Sequence, residues 1–110
     1  MSIEVPLDEL AGEIGRRGFC YLLTVSEGER PHLLALRPDV VGSGADHVLR
    51  FEAGGGRACR NAAERPNVTL VFPPMPHSDG MSLVVDGTAA VEGPTVEVTP
   101  TWAVRHRAAP

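Results

Sequence analysis

The sequence contains no lysine: all ten of its basic residues are arginine, and fourteen aspartate and glutamate residues outnumber them. The formal net charge at neutral pH is -4. Proteins that bind nucleic acid present a basic surface that displaces counterions from the phosphate backbone, and electrostatic membrane anchors also depend on basic clusters. The scarcity of positive charge therefore argues against nucleic acid and against an anionic membrane surface as partners.

Long apolar runs are also missing. A membrane-spanning helix requires ~18 or more consecutive apolar residues, and the sequence has no such run. The first six residues include Glu4, whereas a secretory signal has a basic flank followed by an apolar stretch. We therefore expect a cytoplasmic protein with no membrane partner.

Metal-binding and disulfide patterns are absent as well. The two cysteines, Cys20 and Cys59, are far apart in a sequence without the cysteine density of a disulfide scaffold, which predicts two free thiols. None of the histidines is paired at helical spacing or flanked by a ligand pattern, so no metal site is expected. The four histidines are His32, His47, His77 and His106.

Aromatic residues are few, five in 110, so the core must consist mainly of valine, leucine and alanine. Hydrophobic residues make up 43% of the chain and charged residues 22%, which is typical of a globular protein. A chain of this length is near the common domain size. We expect a single domain over residues 1–110.

Helical spacing occurs in two places. Leu7, Leu10 and Ile14 share one side of a short amphipathic helix, and three glycines at 54–56 lead into a second short helix that ends before Pro66. Apolar and β-branched runs bounded by turn signals predict strands at 19–25, 32–41, 47–52, 67–72, 81–91 and 95–98. A hairpin turn or a bulge interrupts the fifth strand at 86–87, and residues 102–110 are predicted to be a tail.

Several of the six short strands are apolar on both faces. Both faces of the sheet and its edges must therefore be shielded from solvent. The pattern contains no repeated βαβ unit, so the strands are expected to be antiparallel. These features predict a mainly β protein with a closed or nearly closed antiparallel barrel. A two-layer sandwich is the alternative.

One stretch of the chain, residues 48–72, carries a family resemblance. Phe51-Glu52 is followed by Gly56-Arg57-Ala58, then by Arg60-Asn61 on the predicted helix and by the strand entry at 65–70. This order resembles the pyridoxamine-phosphate oxidase family of flavin-binding split barrels, and the alignment needs no gap. Residues 21–25 and 30–32 resemble the opening hairpin of the family, residues 85–89 its Gly-x-Ala strand, and residues 100–107 the tail of its small bacterial members. The resemblance covers nearly the whole chain.

The resemblance implies a six-stranded antiparallel split β-barrel of Greek-key topology with two short helices. It also implies a homodimer that binds FMN in a groove between the subunits and performs redox chemistry on a small-molecule substrate. A deazaflavin coenzyme is the alternative cofactor. A third hypothesis for the function is a cofactor-free barrel that acts as a ligand-binding or interaction module.

The physical chemistry of the glycine segment agrees with a phosphate site. Glycines at 54–56 let backbone amides approach an anion, the helix that follows directs its positive end toward it, and Arg57 and Arg60 lie on one helix face. Arginine also grips phosphate oxygens in a bidentate manner. The alternative is a flexible turn followed by two solvated arginines.

The predicted cofactor-binding set combines the phosphate segment with a wall of the second strand, which in the family lies against the flavin ring. Its members are His32, Leu33, Leu34, Ala35, Phe51, Glu52, Gly56, Arg57, Arg60 and Asn61. No residue pattern identifies a catalytic acid, base or nucleophile.

Overall fold

A computed structural model describes residues 2–110, which form eight strands and two helices. The strands are β1 (Ser2–Glu4), β2 (Cys20–Val25), β3 (Pro31–Leu36), β4 (Asp39–Ser43), β5 (Asp46–Glu52), β6 (Asn67–Phe72), β7 (Ser82–Glu92) and β8 (Thr95–His106). The helices are α1 (Leu7–Gly15) and α2 (Arg57–Glu64). Neither of these two helices has the length and apolar character needed to cross a membrane.

All eight strands belong to one antiparallel sheet. Its order is β3-β2-β6-β7-β8-β5-β4, and β1 pairs with β8. The strands β3 and β4 are the two ends of this order and do not pair with each other. The sheet is therefore an open barrel. The mainly β, antiparallel class and the two short helices are confirmed.

The predicted number of strands, six, is too low. The stretch 32–41 divides into β3 and β4 around Pro38, which has no backbone N–H to donate to a ladder. The segment Ser2–Glu4 is too short to show an alternation of apolar and polar residues, yet it pairs with the end of β8. The predicted tail is also strand, because β8 continues past Pro100 to His106.

Pro100 lies inside β8 because the ladder is irregular there. The register between β7 and β8 shifts between Asp86 and Gly87, so the interruption at 86–87 is a bulge and β7 continues through it. Gly87 pairs with Pro100 at this point. A Cβ atom on Gly87 would lie 2.5 Å from Val98 Cγ1 and 2.8 Å from the Thr99 carbonyl oxygen. The bulge therefore requires glycine.

The core follows from strand alternation. Along β5, β6 and β7 every second side chain is buried, and Phe51 and Phe72 are the largest fully buried side chains. Helix α1 buries Leu10 and Ile14 in this core, as its apolar spacing predicts, and it packs against β4 and β8. Helix α2 packs against β2 and β7.

A buried ion network joins helix α1 to the end of the sheet. The Glu13 side chain accepts hydrogen bonds from Arg17 at 3.0 Å and from Arg105 Nε at 2.8 Å. Arg17 also donates to the carbonyl oxygens of Pro73 and Met81. Burial alone raises the pKa of Glu13, but the hydrogen bonds and charges of Arg105 and Arg17 outweigh it and hold this pKa below its ordinary value of 4.5.

Gly87→Ala is expected to destabilise the protein by about 1–3 kcal/mol, the usual cost of forcing extra volume into a packed site. The measurement is the free energy of unfolding in urea. Gly15→Ala is the matched control, since a Cβ atom there meets nothing within 4 Å and alanine favours the helix. A Gly87→Ala variant as stable as the wild type would contradict the close approach of β7 to β8.

Glu13→Gln is expected to lower the free energy of unfolding at pH 7 by about 3 kcal/mol, because it leaves the buried Arg17 and the half-buried Arg105 without a countercharge. The folded-state pKa of Glu13 is depressed, so this stabilisation is fully present well above pH 4.5 and is lost as the pH falls through the folded-state pKa. The difference between the two proteins in urea unfolding should therefore narrow from pH 7 to pH 3. A difference that stays constant over this range would contradict the network's contribution.

Candidate functional site

A small pocket lies where the β2–β3 turn, the start of β3 and the first turn of α2 meet. It has a volume of about 220 Å³. We call it the arginine pocket and define it by its lining residues, Ser26, Arg30, Pro31, His32 and Arg57. Sequence reasoning predicted His32 and Arg57 as site residues, and the structure brings these two together.

The β2–β3 turn fixes one side of the arginine pocket. The Ser26 backbone N–H donates to the Arg30 carbonyl oxygen at 3.0 Å, and the Ser26 hydroxyl accepts from the Arg30 N–H at 3.2 Å. Glu29 closes the turn with a positive φ of 61° and donates to the Ser26 carbonyl oxygen. These bonds hold Arg30 next to the first residues of β3.

A buried hydrogen bond fixes the other side. Asn61 Nδ2 on α2 donates to Thr24 Oγ1 on β2 at 3.2 Å, and both residues are buried. Thr24 is the register partner of His32 across the β2–β3 ladder. Arg57 precedes Asn61 by one helical turn, so the bond that anchors α2 also places Arg57 beside His32.

The N-terminus of α2 adds backbone donors next to Arg57. Gly56 is the N-cap residue and makes no side-chain cap. The first intrahelical bond runs from the Arg60 N–H to the Gly56 carbonyl oxygen, so the three preceding N–H groups have no intrahelical acceptor. The positive end of the helix therefore adds to the charge of Arg57.

The arginine pocket is positively charged, and several of its polar groups have no ion-pair or hydrogen-bond partner among the described residues. Within residues 2–110, neither the Arg30 nor the Arg57 guanidinium forms an ion pair or a side-chain hydrogen bond. No carboxylate lines the pocket. The His32 Nδ1 atom is buried and has no hydrogen-bond partner among the described residues. Such a pocket is suited to an anion that accepts hydrogen bonds from several directions.

The β3 residues of the predicted cofactor-binding set do not all lie on the same face of the strand. Strand alternation directs His32 and Leu34 toward the interior, where Leu34 packs against the core, and places Leu33 and Ala35 on the outer face. Leu33 and Ala35 therefore lie outside the arginine pocket.

Other predicted residues are also dispersed. Phe51 is fully buried in the core, and Asn61 is used to anchor α2 to Thr24. Arg60 is exposed on α2 outside the pocket lining, and Gly56 caps the helix without lining the pocket. The segment 51–61 therefore supports the pocket mostly through the fold, and Arg57 is its only direct contribution to the lining.

Glu52 lies in a second, larger groove. This groove has a volume of about 500 Å³ and is lined by residues that include Glu52, Glu92 and Glu97. Glu52 accepts a hydrogen bond from the Thr95 hydroxyl at 3.1 Å, and Glu97 pairs with Arg50 at 2.8 Å. The excess of carboxylates makes this groove unsuited to a phosphate, despite its size.

Sequence reasoning missed Arg30 and Ser26. The available signal was the turn composition at 26–31 followed by a strand, because a hairpin turn places its flanking residues side by side. Arg30 precedes Pro31 and His32 directly, so it had to lie at the same end of the hairpin as His32.

The two thiols are free and buried, as predicted. Burial raises the pKa of Cys20 to about 12, so its thiol is protonated at neutral pH. The Cys59 Sγ atom faces the Pro94 carbonyl oxygen at 3.6 Å. Neither thiol lines the arginine pocket.

Solved structures with a similar fold are proteins of several descriptions. An FAD binding protein from Mycobacterium smegmatis superposes with a TM-score of 0.66 and 18% identity, over 97% of this chain and 100% of that chain. A candidate pyridoxamine 5'-phosphate oxidase from Listeria innocua gives 0.66 and 12%, over 93% and 98%. The heme storage protein HutZ from Vibrio cholerae gives 0.59 and 15%, over 91% and 94%. These likenesses assign the fold as a split β-barrel.

No family model matches the sequence. The chain is 38% identical to an uncharacterized protein of Mycobacterium bovis, over 94% of this chain and 81% of the relative. It matches an uncharacterized protein of Mycobacterium tuberculosis to the same extent. The chain therefore belongs to the family of these two mycobacterial proteins and has the split β-barrel fold.

Proposed function

We propose that the chain is a flavin-binding, oxidoreductase-like protein that binds FMN and acts on a small-molecule substrate. The observation that carries this proposal is the arginine pocket, in which two arginines without countercharges lie beside the uncapped start of a helix. Proteins with a similar fold include one described as an FAD binding protein and one described as an F420 reductase, which agrees with a flavin-type ligand.

The residues of the pocket fit the phosphate end of such a ligand. Arg30 and Arg57 each offer a planar fork of donors that matches phosphate oxygens. The Arg57 backbone N–H, which has no intrahelical acceptor, adds an uncharged donor, as in other phosphate sites at helix N-termini. The Ser26 hydroxyl accepts from the Arg30 N–H and still has its own proton to donate.

The volume of the pocket determines how much of the ligand it holds. Pockets for whole drug-sized ligands measure about 300–1,000 Å³, and the arginine pocket measures about 220 Å³. It therefore has room for the phosphate and the adjoining chain, and the ring system of a bound flavin would lie outside it. A bound flavin would supply the hydride chemistry. The protein would bind the flavin, orient it and exclude water from it.

The outer face of the sheet supports a homodimer. Tyr21, Leu33 and Trp102 are 37%, 56% and 44% exposed on strands β2, β3 and β8. Leu33 pairs with Leu23 across the β2–β3 ladder, and Val71 pairs with Tyr21 and Val84 on the neighbouring ladders. Thr69 and Asp86 separate Leu23 from Trp102 on this face, so its apolar part is a patch around Leu33, Leu23 and Tyr21. An exposed apolar patch of this kind is typical of an interaction surface. A second copy on this face would wall the space outside the arginine pocket, because β3 borders both.

Arg57→Ala is expected to weaken FMN binding by about tenfold to a hundredfold, the equivalent of one charge-assisted contact of roughly 1.5–3 kcal/mol. The measurement is the quenching of flavin fluorescence on titration of the purified protein. Arg60→Ala is the matched control, since it removes the same charge from the same helix outside the pocket.

Side-by-side titration with FMN and with the deazaflavin coenzyme F420 distinguishes an FMN-binding protein from a deazaflavin-dependent reductase and from a cofactor-free binding module. Tighter binding of F420 would favour a deazaflavin-dependent reductase. No binding of either compound by the wild-type protein would overturn the proposal and favour a cofactor-free binding module. Equal FMN affinity in Arg57→Ala and Arg60→Ala would remove Arg57 from the site.

Leu33→Glu is expected to shift the protein from dimer to monomer in sedimentation velocity, because it places a charge at the most exposed apolar side chain of the proposed interface. Val41→Glu is the control, since Val41 is an exposed apolar residue on β4, at the opposite edge of the sheet. A wild-type protein that sediments as a monomer at micromolar concentration would contradict the dimer.

A further inference from the structure

We propose that the arginine pocket selects phosphomonoesters over phosphodiesters and that His32 is the residue that determines this selectivity. For flavin nucleotides, the inference rests on the function proposed above and predicts a preference for FMN over FAD. For the phosphate group itself, it rests on the pocket alone.

The first argument is charge. Arg30 and Arg57 bring two positive charges to the pocket, and no lining residue is acidic. A phosphomonoester carries a charge of about -1.5 to -2 at pH 7 and has three terminal oxygens that accept hydrogen bonds. A phosphodiester carries a single negative charge and has two such oxygens. The monoester therefore matches the charge of the pocket, whereas a diester leaves one arginine without a full countercharge.

The second argument is the unpartnered nitrogen of His32. Buried polar atoms are nearly always hydrogen-bonded in folded proteins, so the isolated Nδ1 atom at the pocket wall indicates a partner that the chain does not provide. The imidazole donates from Nδ1 in the tautomer that carries its proton there. Two arginines and this N–H then offer one donor group for each of the three terminal oxygens of a monoester.

The third argument is that His32 is held firmly. It pairs with Thr24 in the β2–β3 ladder, and Thr24 is in turn bonded to Asn61 on α2. The backbone of His32 and the helix that carries Arg57 are therefore fixed relative to each other by the ladder and one buried hydrogen bond. A donor that is positioned before binding loses little freedom when the ligand arrives.

The fourth argument is space. The pocket of about 220 Å³ has walls from the hairpin turn and from α2. A monoester has one substituent, which can extend out of the pocket. A diester has a second substituent, which must occupy space that the Arg30, His32 and Arg57 side chains border.

The test uses phenyl phosphate and methyl phenyl phosphate, which differ by one methyl ester and one negative charge. Isothermal titration of the wild-type protein should show at least tenfold tighter binding of phenyl phosphate. His32→Leu should weaken phenyl phosphate binding by about tenfold or more and change methyl phenyl phosphate binding little, because only the monoester uses the Nδ1 donor. His32→Asn should restore binding, since the asparagine amide N–H lies near the position of Nδ1.

His77→Leu is the matched control, because His77 is an exposed histidine in the 73–80 loop outside the pocket. Thermal unfolding of each variant establishes that it is folded. Equal wild-type affinity for the two esters, or unchanged phenyl phosphate binding in a folded His32→Leu protein, would overturn the selectivity.

A parallel titration with FMN and FAD separates the two proposals. If phenyl phosphate is selected over its methyl ester but neither flavin binds, the selectivity stands and the flavin function fails. If FMN and FAD bind equally well and the two phenyl esters are not distinguished, the flavin function stands and the selectivity fails.

Discussion

The hydrogen bond between Asn61 and Thr24 is the interaction on which the site depends. It crosses from helix α2 to strand β2 in the buried interior, where both groups lack access to water. Loss of either partner leaves a buried polar atom unsatisfied, which costs about 1–3 kcal/mol. The bond also sets the rotation of a helix of only eight residues, which packs through small side chains such as Ala58 and Ala62. One polar contact therefore determines where the charged face of α2 meets the hairpin.

The distribution of the arginines shows how charge is divided between structure and site. Arg17 and Arg105 neutralise the buried Glu13 and hold α1 against the sheet. Arg50 and Arg107 pair with exposed carboxylates at the surface. Arg30 and Arg57 pair with none of the described carboxylates, although the chain has more acidic than basic residues. The β2–β3 turn also carries Glu27 and Glu29, but neither lines the pocket, so two arginines and no carboxylate form its charged lining.

The sequence was sufficient to predict the helices and strands that have one face buried in the core and the other exposed at the surface. Helix α1 and the strands β5 and β6 alternate between core and surface with a clear period, and the prediction placed them correctly. The short strand β1 and the second half of β8 were not predictable, because their pairing depends on each other and on the bulge at Gly87. Tertiary pairing therefore overrode local propensity in these two segments.

The same distinction explains the prediction of the site. Arg57 follows from its place after the glycines, and His32 from its place on the second predicted strand. Arg30 depends on the hydrogen bonds that close the turn at Ser26, and no periodicity encodes these bonds. Phe51 and Leu33 were predicted from the family resemblance, but strand alternation directs them to the core and to the outer face. The sequence placed His32 and Arg57 in one predicted set, but which side chains line the same pocket required the structure.

The open sheet has one more consequence, which concerns aggregation. An unpaired edge strand offers a row of free N–H and C=O groups to any other chain that adopts an extended conformation. Here β3 begins with Pro31, and Pro38 directly precedes β4, so the backbone at both edges is interrupted by residues that donate no hydrogen bond. Both edge strands are also short, at six and five residues. The protein can therefore leave its barrel unclosed without recruiting further chains by strand addition.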